Sequence, residues 1–113
     1  MSSDEPGTEE PRIGRYVRMA ARPGEGAALA DALLHIADNM RRAHGCQMYL
    51  VNMAADEPDI VWVTELWSDI MSSDLALGGD LGQDGIQDVV AHLAEPPELI
   101  SLRPLGGVGY PPA

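Results

Sequence analysis

The sequence predicts a single α+β domain. Two observations indicate this fold class: short runs in which apolar residues alternate, and two longer segments in which apolar residues recur at helical spacing. Along the chain these segments give the order strand, helix, strand, strand, helix, strand. A chain of 113 residues fits one such domain and leaves little room for a second catalytic module.

The composition predicts where this domain begins and ends. Residues 1–11 are acidic and interrupted by proline and glycine, so they lack the apolar surface that offsets ordering entropy. We therefore expect a disordered tail over 1–11, a folded domain over 12–110 and a short tail over 111–113.

The first strand and the first helix follow the tail. The strand begins at Ile13, and Arg22-Pro23-Gly24 is expected to break the chain after it. The helix that follows is led by Glu25 and should stop at Gly45. Its apolar residues share one face at helical spacing: Leu29, Leu33, Ile36, Met40 and Ala43.

Two central strands are predicted over Cys46–Met53 and Ile60–Trp67, joined as a hairpin by the polar connection 54–59. Both runs are apolar on both faces, so each face of the sheet needs a cover. Helices can cover one face, and a partner subunit could cover the other.

The second half of the chain completes the pattern. Ile70–Leu77 reads as a short helix, 78–85 (GGDLGQDG) as a flexible loop that could act as a lid, Ile86–Leu93 as a second helix, and Leu99–Leu105 as the last strand. The order matches the ferredoxin-like split βαβ arrangement (βαββαβ) with an antiparallel sheet. Such folds carry many unrelated activities.

Charge and composition exclude several classes of function. The formal net charge is -11 and all seven basic residues are arginine, which disfavours nucleic acid and anionic membranes as partners. The N-terminus lacks the features of a secretory signal, and the single cysteine, Cys46, permits no internal disulfide. A cytoplasmic location is expected.

Three segments carry a family resemblance: GCQMYLVN, VWVTELW and PPELISLRPLGGVG, in this order around two helices. With them the chain resembles the antibiotic-biosynthesis monooxygenase family. The resemblance implies a homodimer of the dimeric α/β barrel type, whose sheets pack face to face, with a substrate pocket between each sheet and its helices. It also implies oxidation of a phenol, an anthrone or a hydroquinone by molecular oxygen in secondary metabolism, without a cofactor. Haem-degrading relatives use a histidine where Ala76 and Leu77 stand here, which argues against haem.

Two residues of the third strand are the first candidates for chemistry. Trp67 could stack on a flat aromatic substrate and donate its indole N–H to a substrate oxygen, or it could be a core tryptophan. Glu65, a carboxylate among apolar neighbours, could act as a general base, or it could form a structural salt bridge with Arg18 or Arg103.

Further candidates lie on other elements. Arg18 and Arg103 could instead hold a substrate oxyanion. Tyr49, Tyr16 and Asn52 could contact substrate oxygens, although Tyr49 and Asn52 fall on opposite faces of one strand. In addition, His92 could accept a proton from the second helix.

Other readings remain open at the sequence level. No histidines stand at ligand spacing, so we expect no metal site. The same fold could house a cyclase or isomerase acting on a biosynthetic intermediate, or a dimer that binds a small molecule without catalysis.

Overall fold

The computed structural model describes residues 11–112. Its elements confirm the predicted order, with one additional short helix. They are β1 (Ile13–Ala20), α1 (Gly26–Met40), β2 (Cys46–Ala54), β3 (Glu57–Trp67), α2 (Ile70–Gly78), α3 (Asp80–Gln83), α4 (Ile86–His92) and β4 (Glu98–Leu102). The expected N-terminal tail lies, except for Pro11, outside the described residues, as does the final residue of the expected C-terminal tail.

The four strands form one antiparallel sheet in the order β2-β3-β1-β4. This is the ferredoxin-like arrangement that the sequence predicts. In the register between β1 and β3, Arg15 lies opposite Glu65 and Val17 opposite Val63. Because side chains alternate along a strand, these four point to the same side of the sheet.

The helices cover that side, which we call the helix face. Leu29, Leu33 and Ile36 of α1 are almost completely buried against Val61 and Val63 of β3. Their spacing places them on one stripe of α1, so the amphipathic pattern explains how the helix packs. No described helix is long and apolar enough to cross a membrane.

The opposite side, which we call the open face, carries no helix. Its residues alternate with the buried ones, and several of them are large, apolar and half exposed. They include Tyr16, Leu50, Ile100 and Leu102.

Three boundaries differ from the sequence prediction. Helix α1 ends at Met40, and residues 41–45 form turns that end at Gly45, whose φ is +83°. The hairpin turn is also tighter than expected, because only Ala55 and Asp56 separate β2 from β3. Strand β4 ends at Leu102 rather than Leu105.

The segment 78–85 is packed rather than a flexible loop or lid, so this prediction was wrong. Part of it forms α3, and Asn39 of α1 donates hydrogen bonds to the Leu81 carbonyl at 3.2 Å and to Asp84 at 3.1 Å. Gly82 is buried so tightly that an added Cβ would lie 2.6 Å from the Cα of Leu77. The glycines therefore permit close packing here.

Candidate functional site

A buried polar network occupies the helix face. Glu65 accepts hydrogen bonds on Oε1 from Trp67 Nε1 at 2.9 Å and from Arg15 Nη1 at 3.4 Å. Arg15 Nη2 donates to Ser73 Oγ at 3.0 Å, and Ser73 Oγ donates to the Ile70 carbonyl at 2.8 Å. These contacts link β1, β3 and α2 in one chain of hydrogen bonds.

Strand register and a helix cap position this network. Arg15 and Glu65 are cross-strand partners, so the sheet itself brings their charges together. Helix α2 begins at a defined point because Asp69 accepts from the Ser72 amide at 2.7 Å. That backbone hydrogen bond, with one from the Ser72 hydroxyl, lowers the pKa of Asp69. The cap thus fixes the first turn of α2, which presents Ser73 to Arg15.

Tyr49 adjoins the network from β2, where it lies opposite Glu65. Burial raises the pKa of its phenol, and the charge of Glu65 raises it further. The phenol is therefore neutral over the physiological pH range. Tyr49 also lines a cavity of about 220 Å³ together with Met40 and Cys46.

A larger cavity opens at the other edge of the network. Its volume is about 380 Å³, and we call it the Arg103 cavity. It lies at the ends of β1 and β4 and the start of α2. The residues that line it are Pro11, Arg12, Ile13, Ile70, Ser101, Leu102 and Arg103.

Three wall residues of the Arg103 cavity are direct neighbours of the network. Ile13 is the cross-strand partner of Trp67, and Ser101 is the cross-strand partner of Arg15. Ile70 accepts the hydrogen bond from Ser73. The buried ion pair thus lies immediately behind the cavity wall.

Positive charge is concentrated at this end of an acidic molecule. Arg12 and Arg103 line the cavity and Arg15 lies behind its wall, which places three of the seven arginines around one cavity. The charge of Arg15 is compensated by Glu65, so Arg12 and Arg103 supply the positive charge of this cavity in a chain with a formal net charge of -11. Such a cluster favours an anionic ligand.

One alternative for each residue holds, since Trp67 is a core tryptophan and Glu65 forms a structural salt bridge, whereas the substrate contact of Trp67 and the expected partner of Glu65 need correction. Trp67 is completely buried (0% exposed) and its N–H is not free, because it donates to Glu65. The salt-bridge partner of Glu65 is Arg15, not Arg18 or Arg103. Alternation from Ile13 already places Arg15 on the same face as Val17, so the strand pattern contained a signal for this partner.

Three other candidates lie on the open face, away from the network. Arg18 forms ion pairs with Glu95 at 3.4 Å and Glu98 at 3.5 Å. Asn52 donates to the Trp62 carbonyl at 3.2 Å. Tyr16 is 45% exposed on the same face. The prediction that Tyr49 and Asn52 point to opposite faces is confirmed.

His92 lies at the far end of the sheet. Its Nδ1 is 2.8 Å from Glu25 Oε1, at the start of α1. The neighbouring Leu93 forms an isolated antiparallel β-bridge with Ala21. Ala21 is six residues beyond Arg15, which places it about 20 Å further along the strand direction. His92 is therefore too distant to exchange a proton with a ligand in the Arg103 cavity.

Among residues 11–112, no group of three or more histidine, cysteine, aspartate or glutamate side chains is arranged to hold a metal ion.

Comparisons with known proteins agree with this architecture. Solved structures from three bacteria show the same fold. A candidate antibiotic biosynthesis monooxygenase of Chloroflexus aurantiacus is 30% identical, with a TM-score of 0.76 over 85% of this chain and 95% of its own. A Shewanella oneidensis protein is 26% identical, with a TM-score of 0.74 over 84% and 92% of the two chains.

The third structure is a candidate antibiotic biosynthesis monooxygenase of Caulobacter crescentus, 18% identical, with a TM-score of 0.78 over 86% and 92% of the chains. No curated protein sequence matches the chain. The family model for antibiotic biosynthesis monooxygenase matches residues 12–75, which run from β1 into α2 and include every residue of the network. The chain belongs to the antibiotic biosynthesis monooxygenase family.

Proposed function

We propose that this protein oxidises a phenolic or hydroquinone-type aromatic substrate with molecular oxygen, without a metal or organic cofactor, and that the substrate binds in the Arg103 cavity. The observation that carries this proposal is the position of the cavity, whose wall residues Ile13, Ile70 and Ser101 are direct neighbours of the buried network. Family membership supports the oxygenase class.

The cavity suits an aromatic anion. Its volume of about 380 Å³ falls in the range of small-molecule sites. Ile13 and Ile70 offer apolar contact for a ring, and the exposed Arg103 can pair with a phenolate oxygen. Such pairing lowers the free energy of the substrate anion relative to the neutral phenol.

The reaction then balances without another redox partner. For an anthrone-type substrate, the methylene carbon loses a proton to solvent, and the resulting anion gives one electron to oxygen. The two radicals combine to form a C–O bond, and protonation gives a hydroperoxide. Loss of water leaves a ketone, so that R₂CH₂ and O₂ give R₂CO and H₂O. The substrate supplies all the electrons.

The network acts on this reaction through position. Arg15, whose charge is compensated by Glu65, ties β1, β3 and the start of α2 together behind the cavity wall. Glu65 and Trp67 are positioning residues in this scheme, because they hold Arg15 and the end of β3. Arg103 is the residue that touches the substrate.

In the proposed functional state, the open face packs against the same face of a second copy of this chain. Tyr16, Leu50 and Ile100 are 45%, 52% and 52% exposed there. A continuous apolar surface of this kind is unusual on a monomer. A two-fold axis would bury the same patch on both copies at once.

Oxygen consumption tests the proposed activity. The purified protein, stripped of metal with a chelator, is incubated with anthrone and a panel of hydroquinones in an oxygen electrode. We expect saturable uptake of one O₂ per ketone or quinone formed, above the rate with heat-denatured protein. Uptake no faster than the spontaneous rate across the panel contradicts the proposal. Product formation under strict anaerobiosis also contradicts it, and favours a cyclase or isomerase.

A further inference from the structure

Arg12 has two roles in the structure. It lines the Arg103 cavity, yet its guanidinium is held by the C-terminal segment, which we define as residues 104–112. It donates to the carbonyl oxygens of Pro111 and Pro112, the latter at 3.0 Å. Its Cζ also lies 4.1 Å from the ring centre of Tyr110. The Arg12 side chain thus both lines the cavity and holds the C-terminal segment in place.

The rest of the C-terminal segment is loosely attached. It has no helix or strand, and Leu105 and Val108 are 88% and 111% exposed. A cavity of about 420 Å³ lies between the segment and the open face, lined by Tyr16, Leu66 and Tyr110 among others. Little apolar surface is therefore buried by the segment, and its contacts with Arg12 carry much of the attachment.

We propose that Arg12 is a second anion-binding group of the Arg103 cavity, and that an aromatic acid bound there competes with the C-terminal segment for its guanidinium. This inference rests on the proposed function for the cavity being the substrate site. It narrows the substrate class to aromatic rings bearing a carboxylate, or a carboxylate next to a phenol. The ring would contact Ile13 and Ile70, and the acid group would pair with Arg12 and Arg103.

The chemistry of the guanidinium supports the competition. A carboxylate binds a guanidinium through two parallel charge-assisted hydrogen bonds, which are stronger than bonds to neutral carbonyl oxygens. The present partners of Arg12 are two such carbonyls and an aromatic ring. The side chain needs only to rotate about its flexible stem to exchange these partners for an anion in the cavity that its own residue lines.

The competition requires a reciprocal effect. If the ligand releases the segment, then weakening the segment's hold on Arg12 must tighten ligand binding, because coupling between two binding events is symmetric. Removing Arg12 and removing its partner Tyr110 must therefore change the affinity in opposite directions. A purely structural tether would not produce this opposition.

Salicylate, which carries a carboxylate beside a phenol, is the probe, and salicyl alcohol is its neutral control. Calorimetry measures the affinity, and hydrogen exchange measures the protection of the C-terminal segment. Arg12→Gln should weaken salicylate binding about tenfold, and Tyr110→Leu should tighten it about threefold. Two control variants should leave the affinity for salicylate unchanged. Arg22→Gln changes an exposed arginine beyond the far end of β1, and Val108→Ala changes an exposed valine of the C-terminal segment.

In the unsubstituted protein, saturating salicylate should speed exchange in the segment and salicyl alcohol should not. The inference is overturned if salicylate does not bind, if it binds without changing exchange in the segment, or if Tyr110→Leu weakens binding or leaves it unchanged. These measurements do not depend on turnover. Oxygen uptake on a carboxylate-bearing substrate that is unaffected by Arg12→Gln would overturn this inference alone, whereas salicylate binding with the expected effects but no oxygen uptake on any substrate would overturn only the proposed function.

Discussion

At the scale of single residues, the ion pair between Arg15 and Glu65 is the feature on which the site depends. Their side chains are 11% and 5% exposed, so neither charge can find water if the other is removed. Removing one partner of a buried ion pair lowers the free energy of unfolding by more than the intact pair contributes to it, because the remaining charge is left uncompensated.

Glu65→Gln is therefore expected to lower the free energy of unfolding by about 3 kcal/mol. The new amide oxygen can still accept the hydrogen bond from Trp67, so the loss of stability reports the uncompensated charge of Arg15. Urea unfolding followed by tryptophan fluorescence measures the change. The double variant Arg15→Met/Glu65→Gln removes the stranded charge and should recover part of the loss. If the double variant is less stable than Glu65→Gln alone, the ion pair is not the cause.

Cys46 offers a second test at this scale. Burial raises the pKa of its thiol to about 11, from an ordinary value of 9.0. Since the thiolate is the reactive form, the folded protein at pH 8 should react with iodoacetamide about a hundredfold more slowly than the urea-unfolded chain. The rate should still rise with pH up to about 11. Equal rates in the folded and unfolded states would contradict the buried environment of the thiol.

The sequence predicted only part of the residue-level site. The strand pattern placed Glu65 and Trp67 on one face of the third strand, and Tyr49 and Asn52 on opposite faces of the second, because alternation fixes the relative faces of side chains along a strand. It did not show which face is inward.

The pattern also carried a signal that Arg15 shares the face of Val17, but only the register between β1 and β3 shows that Arg15 pairs with Glu65. The expected role of His92 failed for a similar reason, because only the fold shows which end of the sheet α4 reaches.

At the scale of elements, helix α2 begins where Asp69 caps it, and this cap holds Ser73 against Arg15. Asp69→Ala should lower the stability, whereas Asp69→Asn, which keeps an acceptor oxygen, should lower it less. The pKa of Asp69 is lowered in the folded state, so the stabilisation by its charge is present above the unfolded pKa and is lost as the pH falls through the folded pKa.

The corresponding measurement is urea unfolding from pH 7 down to pH 3. The difference in stability between Asp69→Asn and the unsubstituted protein should shrink as the pH falls. A difference that grows toward acid pH would contradict the assigned sign.

The packed segment 78–85 gives a second prediction for an element. Gly82→Ala places a Cβ 2.6 Å from the Cα of Leu77 and should be clearly destabilising, by about 1–3 kcal/mol. At Gly78 nothing lies within 4 Å of an added Cβ, so Gly78→Ala is the matched control and should be neutral. Thermal unfolding of the two variants distinguishes them. Similar melting temperatures would indicate that the segment is a loose loop after all.

This segment also shows where sequence reasoning about elements fails. Four glycines in eight residues indicate a flexible loop when only local preferences are considered. In the fold, Gly82 is needed because the chain passes close to the backbone of Leu77, which is a tertiary requirement. The longer elements were predicted more reliably, since their periodic apolar faces match the core they form.

At the scale of the whole molecule, the open face and the Arg103 cavity define two surfaces with different chemistry. The open face exposes large apolar side chains on β1, β2 and β4, whereas the cavity gathers positive charge in an acidic chain. We propose self-association for the first surface and anion binding for the second.

Leu50 and Leu34 provide a matched test of self-association, because both are 52% exposed but Leu50 lies on the open face and Leu34 on α1. Leu50→Glu should convert a dimer into a monomer in sedimentation velocity, since it would place an unpaired carboxylate in the interface on both copies. Leu34→Glu should leave the dimer intact. A monomer in the unsubstituted protein, or a dimer unaffected by Leu50→Glu, would show that this face is not the interface.

The central claim is that Arg103 holds the anion of an aromatic substrate for oxidation. The most direct measurement is kcat/KM for oxygen uptake with the best substrate of the panel, compared between Arg103→Gln and Arg22→Gln. The account predicts a loss of about 10- to 100-fold for Arg103→Gln, the cost of a missing charge-assisted hydrogen bond, and no loss for Arg22→Gln. A value for Arg103→Gln equal to that of Arg22→Gln would contradict it.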